Sequence, residues 1–417
     1  MKKFLSNYKS TIILLVAIIV GAIIGLVFQE KATILSPLGD IFLNLLLVVI
    51  VPLIFLTITT SISKMQQPKR LGKIIITIFG VFLITSLISV LIAFAVTYPV
   101  KLVNVEDGKM IKDALATDEE AEEAEEISIA DRTVDLITVG DFKDLLSRDN
   151  IVALLVFSIL FGVALNMSGE KAEPLKKVLE SANEVINNII KLIMYYAPIG
   201  LGCYFAALVG SFGKSIALGY LKTFVYYTVV SVVFYIVMYT IYSLIAGGKK
   251  GVKSFWKHAV PSALTALATC SSAASIPVNV KSAKNMGVPD DIAETTIPLG
   301  TSFHKDGSII GSVFKIMFLV CLFGTEVGTV GSVLSILGVA LLANLLVTAV
   351  PIGGGTISEM LIITMMGYPV AALPILTIIA TIIDPPATML NVVGDTTTSM
   401  MVARVVDGKD WNKDVEV

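Results

Sequence analysis

Charge is what this chain has least of. Only 15% of its 417 residues are Asp, Glu, Lys or Arg, whereas 55% are hydrophobic, and the mean hydropathy is +0.85. Soluble domains carry about 25% charged residues, so a soluble enzyme of this length is excluded and a polytopic membrane protein is indicated. Cysteine is almost missing. Cys203, Cys270 and Cys321 stand far apart in apolar surroundings, which excludes a disulfide framework or a thiolate metal centre and predicts three inert, buried thiols. Histidine is scarcer still: His258 and His304 are the only two, too few for a multi-histidine metal site. No phosphate-cradling glycine loop is present, so nothing supports ATP-driven pumping.

The charge that remains is unevenly placed. Residues 101–150 hold 15 acidic and 6 basic side chains. Within them the run Asp118-Glu119-Glu120-Ala121-Glu122-Glu123-Ala124-Glu125-Glu126 is predicted to be solvated and partly disordered. Stretches long enough to cross a bilayer (about 17–25 residues) occupy 11–28, 41–63, 74–100, 150–169, 192–213 and 223–248. The first follows Lys2, Lys3 and Lys9, but it ends in Gln29-Glu30-Lys31 without a small-residue cleavage site. It therefore reads as a retained helix and not as a signal peptide. Basic clusters follow every second span: Lys64, Lys69, Arg70 and Lys73; Lys171, Lys176 and Lys177; Lys249, Lys250, Lys253 and Lys257. By the positive-inside rule both termini are cytoplasmic and the acidic segment is external to the cell membrane.

Residues 254–417 break the pattern of simple spans. The apolar stretch 259–280 carries Thr269-Cys270-Ser271-Ser272-Ala273-Ala274-Ser275-Ile276-Pro277 at its middle. The stretch 328–358 carries Thr348-Ala349-Val350-Pro351-Ile352-Gly353-Gly354-Gly355-Thr356. Unwound backbone in hydrocarbon is tolerated only where it is buried or lines a cavity. Two such interrupted segments, each followed by a helix with ionisable residues, predict an inverted-repeat transporter with a site near the membrane midplane. In 292–325, His304-Lys305-Asp306-Gly307-Ser308 interrupts an apolar helix. In 370–404, Asp384, Thr388, Asn391 and Asp395 are spaced four, three and four apart, on one helical face. Pro385-Pro386 is expected to loosen that helix and free carbonyls for a ligand. Each carboxylate in the bilayer costs at least about 2.5–3.5 kcal/mol, so Asp306, Asp384 and Asp395 require donors or cations close by.

These motifs resemble the dicarboxylate/amino acid:cation symporters, the glutamate transporter family. Phe255-Trp256-Lys257-His258-Ala259, the serine-rich segment and Ile276-Pro277-Val278 are similar to its first re-entrant hairpin. Gly353-Gly354-Gly355-Thr356 is similar to the tip of the second. His304-Lys305-Asp306-Gly307-Ser308 stands where the family has Asn-Met-Asp-Gly-Thr, and Asp384 to Asp395 resembles its eighth helix. Arg70-Leu71-Gly72-Lys73, Thr85-Ser86 and Tyr196-Ala197-Pro198-Ile199-Gly200 extend the likeness into the first half.

The resemblance implies an all-α polytopic fold of eight transmembrane helices and two re-entrant hairpins, working as an elevator-type homotrimer. Scaffold helices fall in 1–73 and 150–217. A mobile transport unit falls in 74–100, 218–250 and 251–417, and 101–149 is the external acidic loop. It further implies that Asp384 meets a substrate ammonium and that backbone at Ser271 and Ser272 meets its carboxylate. Ser308, Gly355, Ala387, Thr388 and Asn391 would line the same pocket. Asp395 with Asn391 would hold one sodium ion, and Asp306 with Thr85, Ser86 and His304 a second; hard oxygen ligands suit such ions. No organic cofactor, enzymatic activity or nucleic-acid partner is expected.

The departures are as informative. Acidic-substrate members carry arginine three residues after the ammonium-binding aspartate, where this chain has Ala387. Others carry it just before the hairpin serines, where this chain has Cys270. No arginine lies between Arg148 and Arg404, so no guanidinium fork is available for a side-chain carboxylate; Lys315, about three turns beyond Asp306, is the alternative cation. A small neutral amino acid (alanine, serine or threonine) is therefore expected, with an acidic amino acid or dicarboxylate as the alternative and a passive channel as a remote one. On the ion side the family's tyrosine three residues before Thr-Ser is Phe82 here. Lys305 is a candidate tethered cation, His304 a candidate proton carrier, and coupling to Na+ or to H+ stays open.

Overall fold

A computed structural model describes residues 9–63, 69–103, 138–147, 150–212, 214–345 and 354–412. Within them the chain is helical, with no β-strand. The helices are α1 (Lys9–Phe28), α2 (Ser36–Ser63), α3 (Lys69–Thr97), α4 (Ile151–Met167), α5 (Glu173–Phe212) and α6 (Lys214–His258). They continue with α7 (Val260–Thr269), α8 (Ser272–Asn285), α9 (Asp290–Phe303), α10 (Asp306–Phe323), α11 (Val330–Leu345), α12 (Gly354–Met366) and α13 (Leu373–Val406). In hydrocarbon a helix satisfies its own backbone groups, which is why apolar runs this long take no other form.

Among the described residues, five helical stretches are long and apolar enough to cross a membrane: Val16–Phe42, Lys73–Thr97, Ile216–His258, Asp290–Phe323 and Val370–Val406. A sixth is added if Gly169–Ile193 and Tyr195–Ser211, bent by 50°, count as one span. The bend has a cause in sequence, because Pro198 lies inside α5 and denies a donor to the carbonyl four residues before it. The six early stretches expected from hydropathy each fall on one of α1–α6, but α2 and α4 contribute only shorter apolar helices, Val51–Thr60 and Val156–Met167, besides the span shared by α1 and α2. The acidic run 118–126 and Gly353 lie outside the described residues.

Two expectations are corrected. Pro385 and Pro386 do not open their helix, since α13 runs continuously from Leu373 to Val406. The two missing N–H groups leave the Thr381 and Ile382 carbonyls without their usual donors while the helical path persists. The three cysteines are free thiols as expected, but each is only partly buried.

The packing divides into two sets. α5 lies along α1 and α2, and α2 also packs on α4. α13 is the axis of the second set and is covered by α3, α6 to α10 and α12. The sets meet through α5 with α6, α1 with α13, and α12 with α2 and α4. Along the α1–α5 seam small residues bring the backbones close: a Cβ at Gly21 would lie 2.2 Å from the Gly202 carbonyl oxygen, and one at Gly25 would lie 2.6 Å from that of Ala206. α6 kinks at Gly247 and Gly248, where Gly248 has φ 61° and ψ −154°, a conformation essentially confined to glycine. The chain's end covers the kink: the Trp411 indole N–H donates to the Ala246 carbonyl at 2.8 Å and Asn412 Nδ2 to that of Gly247 at 3.5 Å.

Gly21→Val is expected to lower stability by about 1–3 kcal/mol, the range for overpacking, read as a depressed melting temperature in detergent. Gly80→Val, where a Cβ meets nothing within 4 Å, is expected to leave the melt unchanged.

Candidate functional site

The site is assembled where α9 stops. His304 and Lys305 separate α9 from α10, and the His304 side chain is wholly buried. Its Nδ1 lies 3.1 Å from Asp395 Oδ1 on α13. Its Nε2 lies 2.9 Å from Thr85 Oγ1 on α3 and 3.3 Å from Asp306 Oδ1 on α10. Phe82, one turn before Thr85, stacks on the imidazole with ring centroids 4.6 Å apart. Asp306 and Asp395 are both fully buried, so each requires such partners.

Asp306 has further donors. Ser89 Oγ donates to its Oδ1 at 2.8 Å. Tyr239 Oη, from α6, lies 3.3 Å from its Oδ2 while donating to the Leu390 carbonyl at 2.6 Å. The ring and carboxylates are held tightly: a Cβ at Gly394 would fall 2.9 Å from Tyr239 Oη and 3.0 Å from both Asp306 Oδ2 and His304 Cε1. Asp395 Oδ2 is buried and has no hydrogen-bond partner among the described residues, and the same is true of Ser86 Oγ.

One turn away on α13 the polar face continues. The Ser308 N–H donates to Asn391 Oδ1 at 3.2 Å, and Asn391 Nδ2 donates to Ser308 Oγ at 3.0 Å. Thr388 donates to Asp384 Oδ1 at 3.2 Å. α10 approaches α13 so closely here that a Cβ at Gly307 would lie 2.2 Å from the Ala387 carbonyl oxygen, and Tyr227 Oη donates to the Gly307 carbonyl at 2.8 Å.

α7 and α8 form a helical pair that packs on α13. Its turn is Cys270, in the left-handed region at φ 47°, followed by Ser271, whose hydroxyl accepts from the Ala274 N–H. Ser271 thus caps α8 and Ser272 opens it, so the positive end of the helix lies at the break. Ser262 and Ser282 bond across the two arms at 2.9 Å. Asn279 Nδ2 donates to the Val392 carbonyl at 2.8 Å, and Thr396 donates to Asn279 Oδ1. In the second interrupted segment α11 packs on α12; Gly354 and Gly355 open α12.

Sequence reasoning singled out Asp306, Asp395, His304 and Thr85, and the structure brings these together. It placed Ser86 beside Asp306, where Ser89 is found. A signal for Ser89 existed, since it lies four residues after Thr85 on the same helical face; Tyr239 left none. Also missed was Glu359, buried on α12, whose Oε1 lies 3.4 Å from Lys315 Nζ and whose Oε2 accepts from Thr377 at 2.7 Å. The lysine considered as a stand-in for arginine is already paired.

Comparison with known proteins accords with this geometry. Residues 11–405 match the sodium:dicarboxylate symporter family. The chain is 27% identical over 397 residues to the C4-dicarboxylate transport protein of Anaeromyxobacter sp. (strain K), covering 94% of this chain and 88% of that one. It is 24% identical over 399 residues to the proton/sodium-glutamate symport protein of Bacillus subtilis (strain 168), covering 93% and 91%.

Ser89→Ala is expected to destabilise the folded protein by about 1.5–3 kcal/mol, the range for a hydrogen bond to a charged group. Ser86→Ala, which removes a buried hydroxyl with no partner among the described residues, should be neutral to stabilising. Thermal melts of both variants decide; equal effects would contradict the hydrogen-bond assignment at Asp306.

Proposed function

The chain belongs to the sodium:dicarboxylate symporter family, and on that premise we propose that it is a cation-coupled symporter whose substrate is a small neutral amino acid. The observation that carries the substrate reading is that, among the described residues, neither Ala387 nor Lys315 offers an uncommitted cation where a second carboxylate would have to be received. Ala387 supplies no charge, and Lys315 is committed to Glu359. A substrate carboxylate left unpaired beside Asp384 would be strongly disfavoured. Asp384, whose oxygen is met by the Thr388 hydroxyl, suits an α-ammonium. The N–H groups at the start of α8 suit the α-carboxylate, with Ser271 and Ser272 at that end. Ser308, Gly355, Ala387, Thr388 and Asn391 complete the pocket.

Asp395 Oδ2 suits a coupling cation, because it is a buried carboxylate oxygen with no partner among the described residues. Asn391, drawn into its exchange with Ser308, would have to release that bond to join it. The architecture we propose has eight transmembrane helices and two re-entrant hairpins, with both termini cytoplasmic in a cell-membrane homotrimer. Residues 1–73 and 150–217 form the scaffold; 74–100, 218–250 and 251–417 slide as the transport unit, with 101–149 as the external loop. The division between the α1, α2, α4, α5 set and the set around α13 supports that partition.

A second reading, uptake of an acidic amino acid or C4-dicarboxylate, is favoured by what the two relatives are called. Uptake into proteoliposomes separates them. Under an inward Na+ or H+ gradient, labelled serine or alanine is expected to accumulate and aspartate to compete weakly; preferential aspartate uptake would overturn the neutral assignment. Ala387→Arg should shift preference towards aspartate by about tenfold or more, since a positioned fork discriminates strongly.

A further inference from the structure

The surroundings of His304 do not suit a free sodium ion at Asp306. Such an ion takes several oxygen ligands, yet the ring atoms of His304 already lie among Thr85 Oγ1, Asp306 Oδ1 and Asp395 Oδ1. Nδ1 faces a carboxylate oxygen of Asp395 and Nε2 one of Asp306, and a ring that donates to both is the imidazolium. Phe82 presents its aromatic face to that cation and has no oxygen to offer a metal ion. The clearance at Gly394 is closed by the ring, Tyr239 and Asp306 together.

We propose that the His304 imidazolium takes the place of one coupling cation, as a positive charge tethered between Asp306 and Asp395. The Asp306–Thr85 site then binds no free sodium ion, so that site contributes a tethered charge and not a bound ion to the coupling stoichiometry. This rests on the symporter reading above, but concerns ion stoichiometry and not substrate.

The test is equilibrium binding of ²²Na+ to the purified full-length protein, alongside the sodium-induced shift in melting temperature with potassium as the control. The wild type is expected to bind no sodium ion at the Asp306–Thr85 site, so Thr85→Val in the wild-type background should leave its sodium stoichiometry unchanged. The double variant His304→Asn, Phe82→Tyr is expected to bind one more than the wild type and to gain a sodium-dependent rise in melting temperature. Adding Thr85→Val should remove that gain. Loss of a bound sodium ion on Thr85→Val in the wild-type background would overturn the proposal, as would a folded double variant with no added site. Should the double variant fail to fold, the wild-type and Thr85→Val comparison decides alone. Failure of all uptake in proteoliposomes with this binding pattern intact would instead count against the symporter reading.

Discussion

Two carboxylates held by one imidazole are the constraint on which the rest of the structure depends. Asp306 and Asp395 sit on different helices, both wholly buried, and His304 lies between them. Burying either charge alone would cost several kcal/mol. Together they fix three elements: α9 must end at His304 to aim its ring, α10 must begin at Asp306, and α13 must present Asp395 opposite. Thr85 and Ser89 draw α3 to the same point, and Tyr239 draws α6. The break between α9 and α10 is therefore the geometry that delivers a side chain into the axis of the bundle.

The same logic recurs with a different outcome along α13. Lys315 and Glu359 come from α10 and α12 and are closed off by Thr377, so that charge pair is internally balanced. Asp384 differs, because Thr388 supplies a hydroxyl to it but no basic side chain among the described residues lies in salt-bridge range. Asp384 is only partly buried, and it is the acidic group on this axis whose charge the proposed substrate ammonium would meet. Compensation is thus incomplete at two places, Asp384 and the second oxygen of Asp395, and these are where the proposed substrate and coupling cation would be received.

Much of this was legible in the sequence, and the limits are physical. The spacing of Asp384, Thr388, Asn391 and Asp395 specifies one face of one helix, and α13 presents it so. The small and hydroxylated run around Cys270 and Ser271 marked a break between apolar arms, and the break is there. Contacts between helices were not legible. Nothing in the spacing of Ser89, Tyr239 or Glu359 tells which partner another helix will bring, although the insertion cost of a charge such as Glu359 implied that it had one. Pro385-Pro386 was half read: the Thr381 and Ile382 carbonyls lose their donors as expected, but two lost donors do not unwind a helix that is packed on several sides.

The kink at Gly247 and Gly248 has a mechanical consequence. The carbonyls of Ala246 and Gly247 are taken up by Trp411 and Asn412, a few residues beyond the end of α13. The longest helix and the helix that carries the polar face are thereby riveted at one end, in addition to the Tyr239 anchor deeper in. Force applied to either is carried into the other, so the pair behaves as a single beam, and its compliant joints lie elsewhere, along the α5–α6 and α1–α13 borders.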